Sequence, residues 1–317
     1  MNRVAIIGSS GHYGQAMIRE LRRSHPNAKL LGLDVVDAAE NAEPDEFRKC
    51  DVRSPETQQA LIDFEPDTIL HFAFIVDPIR DDARMHDVNV NGAKNVLEAT
   101  TKIQPRRLLM ASSATAYGAW PDNPVPMPET QPVRGRPEYR YSKDKDQIES
   151  MLVEFARQNP NIKVSCTRPA IIYEEGVKNY LTTFISTGPL IVLPSGNDTE
   201  MQFVHSDDVV AATRLILENN AEGAFNIGPN DWLTLSDMAK MSNRSVIKLP
   251  FAVCKMITTL WWGLRLPLYK FPPSLWYFIR FPWIVEPRRL TQELGYEFKF
   301  SSRETLQQMF DHTRRKR

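Results

Sequence analysis

Two overlapping Tyr-x-x-x-Lys pairs stand near the middle of this 317-residue chain, within Tyr139-Arg140-Tyr141-Ser142-Lys143-Asp144-Lys145. On a helix, residues four apart share a face, so each lysine ammonium would lie beside a phenol. A free phenol titrates at about 10, and holding it ionised near neutrality takes roughly 4 kcal/mol of differential stabilisation. A nearby cation supplies part of that. Such a tyrosine acts as general base toward an alcohol or as general acid toward a ketone. Pairing Tyr141 with Lys145 sets Glu149 one turn further on and leaves Ile148, Met151, Leu152 and Phe155 as a buried stripe. Tyr139 with Lys143 is the alternative; otherwise Tyr139 belongs to the loop before the helix.

A second constellation opens the chain. Arg3-Val4-Ala5-Ile6-Ile7 reads as a short buried strand and leads into Gly8-Ser9-Ser10-Gly11-His12-Tyr13-Gly14, then an amphipathic helix, a second strand at 29–33, and Asp34. Strand, glycine turn, helix, strand and acid, in that order, form a dinucleotide-binding unit. Gly8 permits the tight turn, Gly11 lets backbone approach a pyrophosphate, and Gly14 lets helix and strand pack closely. The helix N-terminus offers free N–H groups and the positive end of its dipole to the phosphates. Asp34 would accept hydrogen bonds from the adenosine ribose hydroxyls. This favours NAD over NADP, because a 2′-phosphate would face a carboxylate, with no arginine at Val35 or Val36 to receive it. The plainer reading of Asp34 is a turn former at a strand end.

Alternating elements must hold these groups in place. The pattern predicts a helix at 58–64, a strand at 68–74, and a helix at 88–100 buried through Val90, Ala93, Val96 and Leu97. A strand at 107–111 follows, ending at Ser112-Ser113; then come a proline-rich loop at 121–137, a helix at 141–157 and a strand at 163–169. This is an α/β pattern, a Rossmann-like doubly wound parallel sheet whose ligands sit at the carboxyl ends of strands. Beyond Pro169 the rhythm breaks, apart from a clear helix at 206–217. The division expected is a dinucleotide-binding domain over 1–169, to which 200–228 returns. A smaller mixed substrate-binding region spans 170–199 and 229–310, and 311–317 forms a basic tail.

Composition excludes several classes. Lysine plus arginine number 39, as do aspartate plus glutamate, so nothing draws nucleic acid electrostatically. Cys50, Cys166 and Cys254 lack metal-ligand spacing, and no metal site is expected; an odd, scattered set suits a reducing compartment. The first residues read as a strand and not as a signal peptide, and no apolar run reaches the roughly 18 residues that span a bilayer. A cytoplasmic location is the expectation.

Taken with Asp34, the glycine turn and Tyr141-x-x-x-Lys145, several further segments share one resemblance. They are Cys50-Asp51-Val52, His71-Phe72-Ala73, Val88-Asn89-Val90-Asn91-Gly92, Ser112-Ser113-Ala114-Thr115-Ala116-Tyr117-Gly118, Arg168-Pro169, Phe203-Val204-His205-Ser206-Asp207-Asp208-Val209 and Phe225-Asn226-Ile227-Gly228. Together they resemble the extended short-chain dehydrogenase/reductase family, of the NAD-dependent epimerase/dehydratase type. The resemblance implies that Ser113 holds the reacting oxygen, Tyr141 exchanges its proton, and Lys145 lowers the phenol pKa and binds the nicotinamide ribose. It implies Asp51 and Val52 beside the adenine, Phe72, Ala73 and Phe74 along the cofactor, Asn89 positioning the helix behind the site, and Pro169 near the nicotinamide amide. Plainer roles stand beside these: Ser113 as a strand-end turn residue, Asp51 as a helix cap, Asn89 as a partner of backbone groups. His205 and Asp208 read better as junction residues, and Arg168 as a buried structural cation.

The chemistry implied is hydride transfer between a secondary alcohol and a nicotinamide, as an oxidoreductase or an epimerase. Ala114-Thr115 stand where a dehydratase of this type would carry Asp-Glu, which counts against sugar dehydration. Residues 251–283 are rich in Trp, Tyr and Phe, punctuated by Arg265, Lys270 and Arg280. Such a lid suggests a hydrophobic substrate, sterol-like or lipid-linked, or contact with a membrane surface; alternatively these rings fill a core or a dimer contact. A nucleotide-sugar epimerase would need cations for the pyrophosphate, with Lys178, Arg214, Arg265 and Arg280 as candidates. A non-catalytic NAD-binding sensor or assembly protein is the reading from another class. A homodimer through the two long helices, 88–100 and 141–157, is the family expectation.

Overall fold

The computed structural model describes residues 1–173, 188, 190–264 and 271–315. Its centre is a seven-stranded parallel sheet. The strands are β1 (Arg3–Ile7), β2 (Lys29–Asp34), β3 (Glu46–Lys49), β4 (Thr68–His71), β5 (Arg107–Ala111), β6 (Lys163–Pro169) and β11 (Gly223–Ile227). They lie in the order β11-β6-β5-β4-β1-β2-β3. Between them run the helices α1 (His12–Ser24), α2 (Pro55–Phe64), α3 (Asp82–His86), α4 (Gly92–Ile103) and α5 (Arg140–Gln158). The order reverses at β1, between β2 and β4, and such a switch point opens a crevice at the carboxyl ends of the strands. The central strands are apolar and covered on both sides, as parallel sheets require. Val4 and Ile6 face one core, Ala5 and Ile7 the other.

The chain then builds short pieces over that carboxyl edge. These are β7 (Ile171–Tyr173), β8 (Leu190–Pro194), β9 (Glu200–Met201), β10 (Phe203–His205), α6 (Ser206–Glu218), β12 (Leu233–Thr234), α7 (Leu235–Ser242), β13 (Ser245–Leu249), α8 (Phe251–Gly263), α9 (Trp276–Arg280) and α10 (Ser302–Arg315). β11 rejoins the large sheet beside β6. Asp208, fully buried, binds this region together: it accepts hydrogen bonds from the Tyr296 hydroxyl at 2.7 Å and from the Lys299 amide at 2.9 Å.

Three elements differ from the pattern in the sequence. The strand expected at 68–74 ends at His71, because β1 stops at the Gly8 turn and nothing continues the ladder. The helix expected from residue 88 begins as a widened π turn over Asp87–Asn91 before α4. There Asn89 turns inward to bind the Ile75 backbone. The basic end, expected as a tail, stays helical through Arg315, since Leu306, Met309 and Phe310 are buried. Lys178, Arg265, Tyr269 and Lys270 lie outside the described residues.

Beneath the sheet's edge lies a buried polar network. Arg168 on β6 grips Glu149 on α5 through Nε at 3.0 Å and Nη2 at 2.5 Å. It also donates to the Tyr117 hydroxyl at 2.6 Å, and Tyr117 donates on to Asn226 at 2.9 Å. Ser112 donates to the same Glu149 carboxylate. Removing one partner of such a pair strands the other charge away from water. Arg168→Leu should therefore lower stability by about 3–5 kcal/mol, with the double variant Glu149→Leu/Arg168→Leu losing less. Urea unfolding midpoints of the three proteins check this.

Candidate active site

Packing at the switch point dictates the glycine turn. Gly8 has φ +87°, and a Cβ there would lie 2.5 Å from the Ala73 amide nitrogen. A Cβ on Gly14 would lie 2.2 Å from the Gly8 carbonyl oxygen. These contacts bring α1 against the β1–α1 and β4 loops, and only glycine leaves room for them. The N-terminus of α1 is capped by Gly11 without a side-chain hydrogen bond and has no acid in its first turn. Its amides are suited to an anion.

Asp34 ends β2. One carboxylate oxygen accepts from the Ser10 amide at 2.9 Å, the other from Val35 at 2.7 Å and Val36 at 3.2 Å. The acid thus fixes the glycine turn and still has lone pairs to offer. Ser10 also donates its hydroxyl to the Val36 carbonyl at 3.1 Å. Val35 and Val36 are exposed, and nearby Lys49 is held by Asp37 at 2.9 Å. The residues present fit a dinucleotide with free ribose hydroxyls better than one with a 2′-phosphate.

A cavity of about 320 Å³ runs from this turn across the carboxyl ends of the strands. Gly8, Gly11, His12, Tyr13, Gly14, Phe72, Phe74, Ser113, Tyr141, Lys145 and Pro169 all line it. The position of Tyr141 and Lys145 follows from α5, whose buried face carries Tyr141, Ser142, Asp144, Lys145, Ile148 and Glu149. Ser142 anchors the first turn by donating to the Thr115 carbonyl and accepting from the Arg136 amide. Lys143 faces solvent. Tyr139 lies edge-on to Phe278, 5.4 Å between centroids, outside the lining of this cavity. Ser113 caps the turn Ala114–Tyr117, accepting from the Thr115 amide at 3.2 Å.

The Lys145 ammonium is almost fully buried. It donates to the Ala111 carbonyl at 2.6 Å, lies 3.0 Å from the Phe74 ring centroid and 5.5 Å from that of Tyr141. Burial pushes its pKa well down, opposed by the carboxylates of Glu149 and Asp144 and by Cys166. Phe72 stacks on Tyr13 with centroids 4.2 Å apart.

Other expected residues sit further off. Asp51 and Arg53 form an ion pair, and Arg53 reaches on to Asp87; these line a separate groove. Val52 packs against Gly92. Both Asn89 side-chain groups are taken by Ile75. Arg214 is held by Glu20 and Glu218, and Arg280 lies over the Phe251 ring. The expected aromatic lid divides: Phe271, Trp276, Phe278 and Trp283 are buried in the core, while Phe251, Trp261, Trp262, Tyr277 and Phe281 are half-buried.

Ile171 and Ile172, which had no expected role, and Trp283, expected only as one ring of the aromatic lid, supply an apolar wall of the cavity. They come from segments far apart in the chain, with no motif around them. His71, in the segment His71-Phe72-Ala73, had no expected role. It is fully buried, 4.5 Å from Phe74 between centroids, and neither ring nitrogen has a hydrogen-bond partner among the described residues.

The NAD dependent epimerase/dehydratase family matches the chain over residues 4–228, and the protein is a member of it. It is thus one of a family of enzymes that work with NAD. A protein of Mycobacterium tuberculosis without a characterised function is 26% identical over 274 residues, covering 84% of this chain and 70% of its own. The N-acetyl-α-D-glucosaminyl-diphospho-ditrans,octacis-undecaprenol 4-epimerase of Escherichia coli O157:H7 is 29% identical over 227 residues, 69% of this chain and 64% of its own. The fold is similar to that of the Thermus thermophilus UDP-glucose 4-epimerase solved with NAD. The TM-score is 0.75 at 21% identity, covering 98% of this chain and 99% of that one.

Burial, with the Lys145 charge second, drives the His71 pKa down to about 3. In the unfolded chain the ring titrates at about 6.5. Between those values the unfolded state binds the extra proton, so stability is lost as pH falls from 6.5 toward 3. The loss is at most about 1.4 kcal/mol per pH unit. His71→Leu should flatten this part of the stability profile, as chemical denaturation across that range would record.

Proposed function

We propose that the protein is an NAD-dependent epimerase or dehydrogenase acting on a secondary alcohol through Tyr141, Lys145 and Ser113. The observation that carries this is the cavity those three side chains share with the glycine turn. NAD, when bound, supplies the hydride acceptor. The turn and the α1 N-terminus hold its phosphates, Asp34 its adenosine ribose, and Asp51 and Val52 its adenine. Phe72, Ala73, Phe74 and Pro169 flank the rest, while Asn89 fixes the loop behind it. Tyr141 takes the substrate hydroxyl proton. Ser113 holds the substrate oxygen, and Lys145 favours the ionised phenol and binds the nicotinamide ribose. Residues 1–169 with 200–228 form the cofactor half, and the remainder receives the substrate.

For the substrate we favour a sugar on a lipid diphosphate. The apolar wall of Ile171, Ile172 and Trp283 supports it, as does the substrate named for the Escherichia coli relative. A nucleotide sugar is the second reading, supported by the likeness to the Thermus epimerase. In this reading two copies pair through α4 and α5, and the protein works in the cytoplasm.

Tyr141→Phe should lower turnover by about 10²–10⁴-fold while leaving NADH binding intact. Alcohol oxidation should rise with pH to a plateau, because the phenolate is the active form. In Lys145→Met that rise should move to higher pH. Stopped-flow NADH absorbance with an undecaprenyl-diphosphate sugar and with UDP-sugars reads both effects. Wild-type turnover with neither class, alongside tight NADH binding, would point to a sensor.

A further inference from the structure

We infer that α8, with the basic residues Lys240, Arg244 and Lys248 of the preceding elements, forms a docking surface for an anionic phospholipid membrane. From Met238 to Val285 the chain contains seven lysines and arginines and not one aspartate or glutamate, within a protein of zero formal net charge. α8 lies inside that stretch and carries a single charge, Lys255. Its inward side is defined by Cys254, which is buried, and by Thr258, whose hydroxyl accepts from the Trp276 indole at 3.1 Å. Its outward side presents Met256, Ile257, Leu260 and Leu264, which are 57%, 49%, 60% and 70% exposed. Spacings of three, four and eight residues put these four on one helical face. An exposed stripe of large apolar side chains on a helix otherwise packed into its fold needs a cover.

Charge selects what covers it. β13, immediately before α8, forms the edge of a groove of about 540 Å³ where Lys240, Arg244 and Lys248 gather. Asp198 in that lining accepts from the Ser236 amide at 2.8 Å, and Asp237 beside it caps α7 and lies 3.7 Å from the Lys240 ammonium. On the other flank, Arg280 lies over Phe251 and Lys255 over Tyr277. Asp82 and Glu138 lie on the inner side, in the cavity they share with Lys255 and Trp262. An outward apolar helical face with Lys240, Arg244 and Lys248 on the elements before it, and Trp261 and Trp262 on the same helix, matches the interfacial layer of an anionic bilayer.

Membrane binding needs no turnover, so its test is separate from that of the redox reading. The full chain should float with phosphatidylcholine vesicles carrying about 30% phosphatidylglycerol, float far less with phosphatidylcholine alone, and be released by salt. Ile257→Glu/Leu260→Glu should abolish flotation, with NADH binding and the melting temperature retained as evidence of folding. Lys248→Ala, at an exposed strand position, should weaken partitioning roughly fivefold and answers the question if the acid pair fails to fold. Absence of flotation with the anionic vesicles, or equal flotation of wild type and variants, would overturn the proposal. So would equilibrium sedimentation showing that the acid pair dissociates a lipid-free dimer, since the face would then be a subunit contact.

Discussion

Lys145 carries an ammonium into a space from which water is almost entirely excluded, and much of the surrounding structure answers to the cost of keeping it there. Such a group favours its neutral form unless protein atoms replace its solvent. The replacements are few and directed. The carbonyl that ends β5 accepts one hydrogen bond, the Phe74 ring offers its negative face, and Glu149 lies one turn further along α5. Glu149 is not free to swing, because Arg168 grips it from β6 and Ser112 donates to it from the end of β5. The charge balance at the cavity thus reaches through one helix and two strands into the fold's interior.

This constraint explains the register of α5. A helix bearing Tyr141, Lys145 and Glu149 on one side must turn that polar line toward the sheet, where burial normally favours apolar residues. Ile148, Leu152 and Phe155 take over the packing further along, against the second core beneath the sheet. The first turn instead depends on hydrogen bonds, through Ser142 to the Thr115 and Arg136 backbones. Asp144, also buried, is matched by His86 at 2.8 Å from α3. Ser142, Asp144, Lys145 and Glu149 each have a partner from a different element, so the helix cannot slide without breaking several bonds at once.

What the sequence discloses is what short-range rules govern. The glycine turn, Asp34 and the strand-helix alternation are local, and their spacing alone implies a parallel sheet with a crevice at its carboxyl ends. The four-residue spacing of Tyr141 and Lys145 implies a shared face, and both line the same cavity. The information lost is of two kinds. Ends of elements depend on neighbours: β4 stops where β1 stops, and the π turn at Asp87–Asn91 exists where Asn89 reaches the Ile75 backbone. Walls of the cavity depend on convergence: Ile172 and Trp283 stand more than a hundred residues apart, and composition identifies Trp283 only as one aromatic among many. The aromatic segment also divides in a way its content conceals. Trp276 and Phe278 are core, while the exposed stripe of α8 is built from Met, Ile and Leu.

His71 falls under the same constraint. It ends β4 beside Phe74, and the Lys145 charge acts on it. An imidazole with no hydrogen-bond partner among the described residues is an expensive occupant of a dry site. Its neutral ring nevertheless suits this position better than a second cation would, because the Lys145 charge would repel it. An acid here would instead pair with Lys145 and draw it away from the phenol of Tyr141. A flat, uncharged ring supports Phe74, and Phe74 in turn covers the ammonium. The residue that carries the positive charge of the cavity is therefore set by what its neighbours decline to carry.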